Sequence, residues 1–111
     1  LPMSDQPIAI EHLCFRVPPS GQMAFILEDE RIWGPALRQQ PGFLGKEVWL
    51  DAEDPELVHL IIRWASRAAW KAFPSEQAEA LDRQMRPFYV RLEQAREYQL
   101  WQPDLLGEGQ A

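Results

Sequence analysis

The stretch PGFLGKEVWLDAEDPELVHLIIRWAS, residues 41 to 66, constrains the fold more than any other part of the chain. GFLGKEVWL and ELVHLIIRW are short runs rich in aliphatic and aromatic residues, the composition of β-strands. Between them DAEDP supplies Asp and Pro, which favour a turn through side-chain hydrogen bonds to the backbone and a fixed φ. The segment is therefore predicted to be a β-hairpin. Side chains alternate along a strand, so Val58, Leu60, Ile62 and Trp64 make one apolar face and Leu57, His59, Ile61 and Arg63 a mixed one. A chain of 111 residues has room for a single core. The apolar face is expected to meet helices. The tip residues Asp51, Glu53, Asp54 and Glu56 lack the glycine and ligand order of a calcium loop and read as a solvated turn.

The rest of the chain fills in around this hairpin. IAIEHLCFRV, residues 8 to 17, reads as a strand with Ala9, Glu11, Leu13, Phe15 and Val17 on one side, ended by Pro18-Pro19. Ser20 is a candidate N-cap for a helix whose apolar stripe is Met23, Ile26, Leu27, Trp33 and Leu37. Gly34-Pro35 is expected to kink that helix or start a new turn, and Gln40-Pro41-Gly42 closes it. Ser66 can cap a second helix beginning RAAWKAF. Pro74-Ser75 interrupts it before EQAEALDRQMRPFY, where Ala78, Leu81, Met85 and Phe88 keep the stripe. REYQLWQ, residues 96 to 102, reads as a last strand. The order β-α-β-β-α-β is the ferredoxin-like α+β arrangement: a four-stranded antiparallel sheet with two interrupted helices on one face. The domain is expected over residues 8–102, with an extension at 1–7, where Met3 reads as the natural start, and a frayed tail at 103–111.

The hairpin register decides what the helices cover. If Leu50 opposes Leu57, then Phe43, Gly45, Glu47 and Trp49 lie on the helix side; the alternative register swaps them. In the first case Glu47 is a partly desolvated carboxylate beside Trp49, with Gly45 leaving space for a ligand. It is then a candidate base for a phenol or enol. Otherwise Glu47 faces solvent or pairs with Arg63 or Arg67. The aromatic residues Phe15, Trp33, Trp49, Trp64 and Trp70 can line a pocket for a flat ligand or pack as ordinary core. The mixed face carries Leu57 and Ile61 and, in that register, Leu44, Val48 and Leu50. Leaving such groups in water costs about 1.5–3 kcal/mol each. A homodimer through the sheet face is the simplest cover, with Lys46, His59 and Arg63 near its edges.

Charge narrows the partners. The net charge of −6 and pI near 4.8 repel phosphate backbones and anionic lipid surfaces, so neither nucleic acid nor membrane is expected. No apolar run approaches the ~20 residues of a span, and no basic-then-apolar start suggests export. The single Cys14 has no internal disulfide partner and reads as a small core residue of a cytoplasmic protein. His12 and His59 lack metal-ligand spacing, so no metal is expected, and a place at the dimer interface suits them better. No Gly-rich phosphate loop, GxSxG elbow or Cys/His zinc spacing occurs.

PGFLGKEVWL, DPELVHLIIRWAS and the ending REYQLW resemble the antibiotic biosynthesis monooxygenase-like family of dimeric α+β barrels, above all its short cyanobacterial members. The resemblance runs from about Ile8 to Gln102. It implies the fold already read. Such families include oxygenases that oxidise polycyclic phenols without metal or flavin, and haem-degrading enzymes. Trp64 matches the tryptophan that lines the cavity between sheet and helices in the haem-degrading branch. Leu13 and the pair Phe73-Pro74 stand where that branch has its asparagine and histidine, so haem is not expected, and Leu13 joins the pocket set. The resemblance implies a monooxygenase with no cofactor, acting on an aromatic or polyketide-like small molecule. The other class left open is a non-catalytic dimer that binds a hydrophobic small molecule or serves in stress. A titratable acid inside a real cavity would favour the first, and a solvent-facing Glu47 the second.

Overall fold

A computed structural model describes residues 6–103. The elements are β1 (Ala9–Arg16), α1 (Gln22–Arg38), β2 (Phe43–Leu50), β3 (Leu57–Trp64), α2 (Arg67–Lys71), α3 (Ser75–Met85) and β4 (Arg91–Gln99). Single 3-10 turns at Pro19–Gly21 and Arg86–Phe88 flank the helical segments. The strands form one antiparallel sheet in the order β2-β3-β1-β4, the ferredoxin-like topology. The expected start at Met3 and the frayed tail fall on residues outside those described, apart from Pro103.

Alternation along β1 and β3 sets the two faces. Ala9, Phe15, Val58, Leu60, Ile62 and Trp64 are all buried on the side that the helices cover. Phe25 and Ile32 of α1 and Met85 of α3 pack on Phe15, Val58 and Leu60 at one end. Leu37 joins Ile62 and Trp64 at the other. Phe15 stands edge-on to Tyr89, with ring centroids 4.7 Å apart, a favoured aromatic geometry.

Three expectations about local structure are corrected. α1 runs unbroken through Gly34-Pro35, and its first turn is led by Gly21, not capped by Ser20. Gln22 instead ties the helix start down, its side-chain amide donating to Val17 O at 2.9 Å and Pro55 O at 2.6 Å. Of the expected stripe Ile26, Trp33 and Leu37 do pack inward and Phe25, Asp29, Ile32 and Ala36 are buried beside them, whereas Met23 and Leu27 are 66% and 60% exposed. β4 begins at Arg91 and ends at Gln99, earlier at both ends than the 96–102 expected. Ser66 does cap α2, its hydroxyl accepting from Ala69 N at 3.1 Å, and Pro74 leads α3.

The hairpin register differs from the one that placed Glu47 under the helices. Leu50 pairs with Val58, Trp49 with His59, Glu47 with Ile61 and Lys46 with Ile62. The cause is a bulge: Phe43 opposes Trp64 and Gly45 opposes Arg63, so Leu44 has no partner and the alternation shifts by one. Gly45 makes this possible with a φ of +156°, where a side chain is strained. It is a backbone device and is not among the residues that line the cavity under the helices. Lys46, Val48 and Leu50 therefore take the helix side, and Glu47 and Trp49 the open face. At the tip Asp51 Oδ1 accepts from Glu53 N and Asp54 N at 2.9 and 2.8 Å, the side-chain turn expected there.

A candidate small-molecule cavity under the helices

Between the helices and the sheet lies a cavity of about 270 Å³. Its walls are mainly apolar and aromatic: Leu13, Phe15, Leu60, Ile62 and Trp64 from the sheet, Phe25 and Trp33 from α1, and Trp70 and Phe73 from the α2 segment. Trp33 and Phe73 pack against each other in its wall, with ring centroids 5.5 Å apart. Of the pocket residues expected from sequence, Leu13, Phe15, Trp33, Trp64 and Trp70 line this space. Trp49 does not; the bulge turns it to the open face, where it is 51% exposed.

Three charged side chains point into the apolar space. Glu11 projects from β1 between Ala9 and Leu13, and Trp64 Nε1 donates to its carboxylate at 3.1 Å. Burial pushes the Glu11 pKa up, against the Trp64 hydrogen bond and the charges of Lys71 and Lys46. Asp29, on the buried stripe of α1, is ion-paired with Lys46 of β2. The side chains of Lys46 and Asp29 are only 11% and 5% exposed. Burial raises the Asp29 pKa although Lys46 opposes the shift. Toward the rim, Tyr89 Oη donates to Asp82 Oδ1 at 3.0 Å, and burial together with that partner raises the phenol's pKa. Lys71 lies over the Trp70 ring at 3.9 Å and bonds Glu97 at 2.9 Å.

Glu47 stands on the opposite side of the sheet. Arg63 Nη1 donates to it at 2.8 Å and Trp49 Nε1 at 2.9 Å, and these bonds hold its pKa below the usual carboxylate range. The arrangement suits a surface ion pair and not a proton acceptor for a buried ligand. The two histidines share this open face. His12 Nε2 and His59 Nδ1 are 2.8 Å apart, and His59 Nε2 meets Asp51 Oδ2 at 2.8 Å, which draws the Asp51 pKa down to about 2. They satisfy each other within one chain. No group of three or more metal-ligating side chains occurs among the described residues.

Glu11 and Asp29 were not singled out from sequence, although both left a trace, and Lys46 was expected at the edge of the open sheet face, whereas the bulge puts it under the helices. Glu11 alternates with Ala9, Leu13, Phe15 and Val17, which makes it a carboxylate on a core-facing row. Asp29 is spaced i+4 from Phe25 and three residues before Ile32, the period of the buried stripe. Lys46 could not be placed without the bulge.

A small α+β domain with a ferredoxin-like sheet thus carries an aromatic-walled cavity holding buried acids between its sheet and its helices. Residues 9–80 match the family model of antibiotic biosynthesis monooxygenases, and the chain belongs to that family. Solved structures share the fold. One from Chloroflexus aurantiacus, assigned to the same monooxygenases, is 22% identical and superposes with a TM-score of 0.64 over 86% of this chain and 94% of that one. A monooxygenase from ActVA-Orf6 of Streptomyces coelicolor, solved with the ligand nanaomycin D, is 16% identical with a TM-score of 0.73 over 92% and 96%. A family protein from Nitrosomonas europaea is 14% identical with a TM-score of 0.71 over 89% and 95%. No match is found among curated proteins. No helix among the described residues is long and apolar enough to cross a membrane.

Proposed function

We propose that the chain is a cofactor-independent monooxygenase for an aromatic or polyketide-like small molecule, with Glu11 taking the part first considered for Glu47. One observation carries this reading: a carboxylate of raised proton affinity stands inside an aromatic-walled cavity. A base of that kind accepts a phenol or enol proton more readily than an exposed carboxylate does. The resulting anion passes an electron to dioxygen, and recombination at carbon gives a hydroperoxide. The proton on Glu11 completes that hydroperoxide; Glu11 then takes the remaining proton from the same carbon as the O–O bond breaks to leave C=O, and passes it to the departing hydroxide as water. A CH2 group and O2 thereby become C=O and H2O, with all four electrons supplied by the substrate. The nanaomycin D bound by the Streptomyces coelicolor relative is consistent with a flat ligand in such a cavity.

The test is aerobic incubation of the purified protein, stripped of metal and flavin, with a tricyclic anthrone under ¹⁸O₂. The expected result is one ¹⁸O atom in the new carbonyl and one O₂ consumed per product. Oxygen uptake no faster than in buffer, with the anthrone still bound, would support the second reading, a non-catalytic small-ligand-binding or stress-related protein. The solvent-facing Glu47 favours that alternative.

The open sheet face supports a homodimer. Ile10, Leu57, Ile61, Trp49 and Tyr98 share it, and Trp49 and Tyr98 are 51% and 46% exposed. Val48 and Leu50, once counted there, belong to the helix side. Light scattering on dilute protein is expected to give a mass near twice 12.9 kDa; a stable monomer would remove the dimer. The acidic composition and the buried, unpaired Cys14 suit a reducing cytoplasm, and the hairpin motifs ally the chain with the short cyanobacterial members of the family.

A further inference from the structure

Pairing across the sheet brings three side chains into one row on the cavity floor. Lys46 of β2 and Glu11 of β1 both pair with Ile62 of the intervening β3. All three line the cavity, so a cation and an acid stand at the two ends of an apolar strip. With strands about 4.8 Å apart, the two charged positions are separated by roughly the length of a two-ring aromatic. The Lys46 ammonium has three N–H donors, and among the described residues its hydrogen-bond partner is Asp29. The remaining donors can serve a ligand. Stability does not demand the pair, since apolar residues of similar volume commonly replace a buried ion pair at no loss.

We propose that Glu11 and Lys46 together select ligands with two oxygen functions at opposite ends of a conjugated ring system: an acidic hydroxyl at Glu11 and a carbonyl at Lys46. This rests on the cavity being the site of ligand oxidation. In such a ligand, proton transfer to Glu11 sends negative charge through the ring to the far oxygen. Lys46 stands at that end to receive it. A simple phenol satisfies Glu11 alone.

Two probes separate these cases: 6-hydroxy-1-tetralone, which has both oxygens, and 5,6,7,8-tetrahydro-2-naphthol, which lacks the ketone. A hydrogen bond to a charged group corresponds to about a 10–100-fold change in affinity. The wild type is expected to bind the tetralone tighter by about that factor. The double variant Asp29→Asn/Lys46→Met, which removes both charges, is expected to bring the ratio of the two affinities close to one. Equal binding of the two probes by the wild type, or a ratio that survives in the variant, would overturn the proposal. A measurement on the wild type alone guards against a variant that does not fold. The infrared stretch of a ¹³C-labelled tetralone carbonyl is expected to move to lower frequency on binding, and an unshifted band would also overturn the proposal. A ratio that disappears in the variant while the wild type oxidises neither probe nor the anthrone refutes the oxygenase reading alone. Anthrone oxidation with an unchanged ratio refutes the role of Lys46 alone.

Discussion

Replacing Glu11 by Gln is expected to lower turnover of a phenolic substrate by about 10²–10⁴-fold, the range for a lost general base, with a smaller loss in binding. Gln keeps the shape of Glu and an oxygen that can still accept from Trp64 Nε1, so the 3.1 Å hydrogen bond on the cavity floor can persist. What disappears is the capacity to hold a proton. The pH profile adds a second readout. The wild-type base works only when ionised, so its rate should climb with pH through the raised pKa of Glu11. That limb should vanish in the variant. Unchanged turnover, or loss of ligand binding in proportion to turnover, would show that Glu11 does not act as the base.

Lys46→Met alone is expected to destabilise the fold by about 3–5 kcal/mol, because it leaves the Asp29 carboxylate buried without its partner. For a small domain that is a large share of the total. The double variant Asp29→Asn/Lys46→Met removes the stranded charge and should recover most of the loss. The deficit of the single variant should also depend on pH. Without Lys46 the influences left on Asp29 are burial and Glu30, both of which raise its pKa. The folded state then binds the proton more tightly than the unfolded chain does. Stability is present at low pH and lost as pH rises through the folded value. Urea unfolding at pH 4.5 and pH 8 should therefore show the smaller deficit at pH 4.5. A deficit equal at both would mean that Asp29 finds another partner.

The fold was legible because each element announced itself with its own periodicity. The parity of β3 put Val58, Leu60, Ile62 and Trp64 under the helices, and Ser66 marked the start of α2. The cavity was legible to the extent that it rests on those strands: Leu13, Phe15 and Trp64 needed only alternation. Its chemistry was not. The face occupied by β2 depends on one unpaired residue, Leu44, and on the conformation of Gly45 beside it. A pattern of apolar residues does not reveal a bulge, because FLGKEVWL reads as a strand in either phase. The stripe of α1 was read only in part, with Ile26, Trp33 and Leu37 facing the core as expected, for a related reason. Met23 and Leu27 are apolar but face water, whereas the charged Asp29 is buried because Lys46 meets it there. A carboxylate counts as buried-compatible only after its partner is known, and here the partner's position hung on the bulge.

The bulge gives this hairpin a reading frame. Lys46 and Glu47 are adjacent in sequence and opposite in charge, and one residue of slip decides which faces the cavity and which the outside of the sheet. A chain that kept Leu44 but drew it into the ladder opposite Arg63, so that Leu50 met Leu57, would bring Glu47 and Trp49 inward and send Lys46 out with no side chain altered. Insertions and deletions are ordinarily tolerated in loops and punished in strands. Here the extra residue is held as a bulge at the start of an edge strand, and absorbing it into the ladder is a route by which such a domain could turn Glu47 inward in place of Lys46, so the polarity of the pocket can diverge between relatives whose aligned residues are the same.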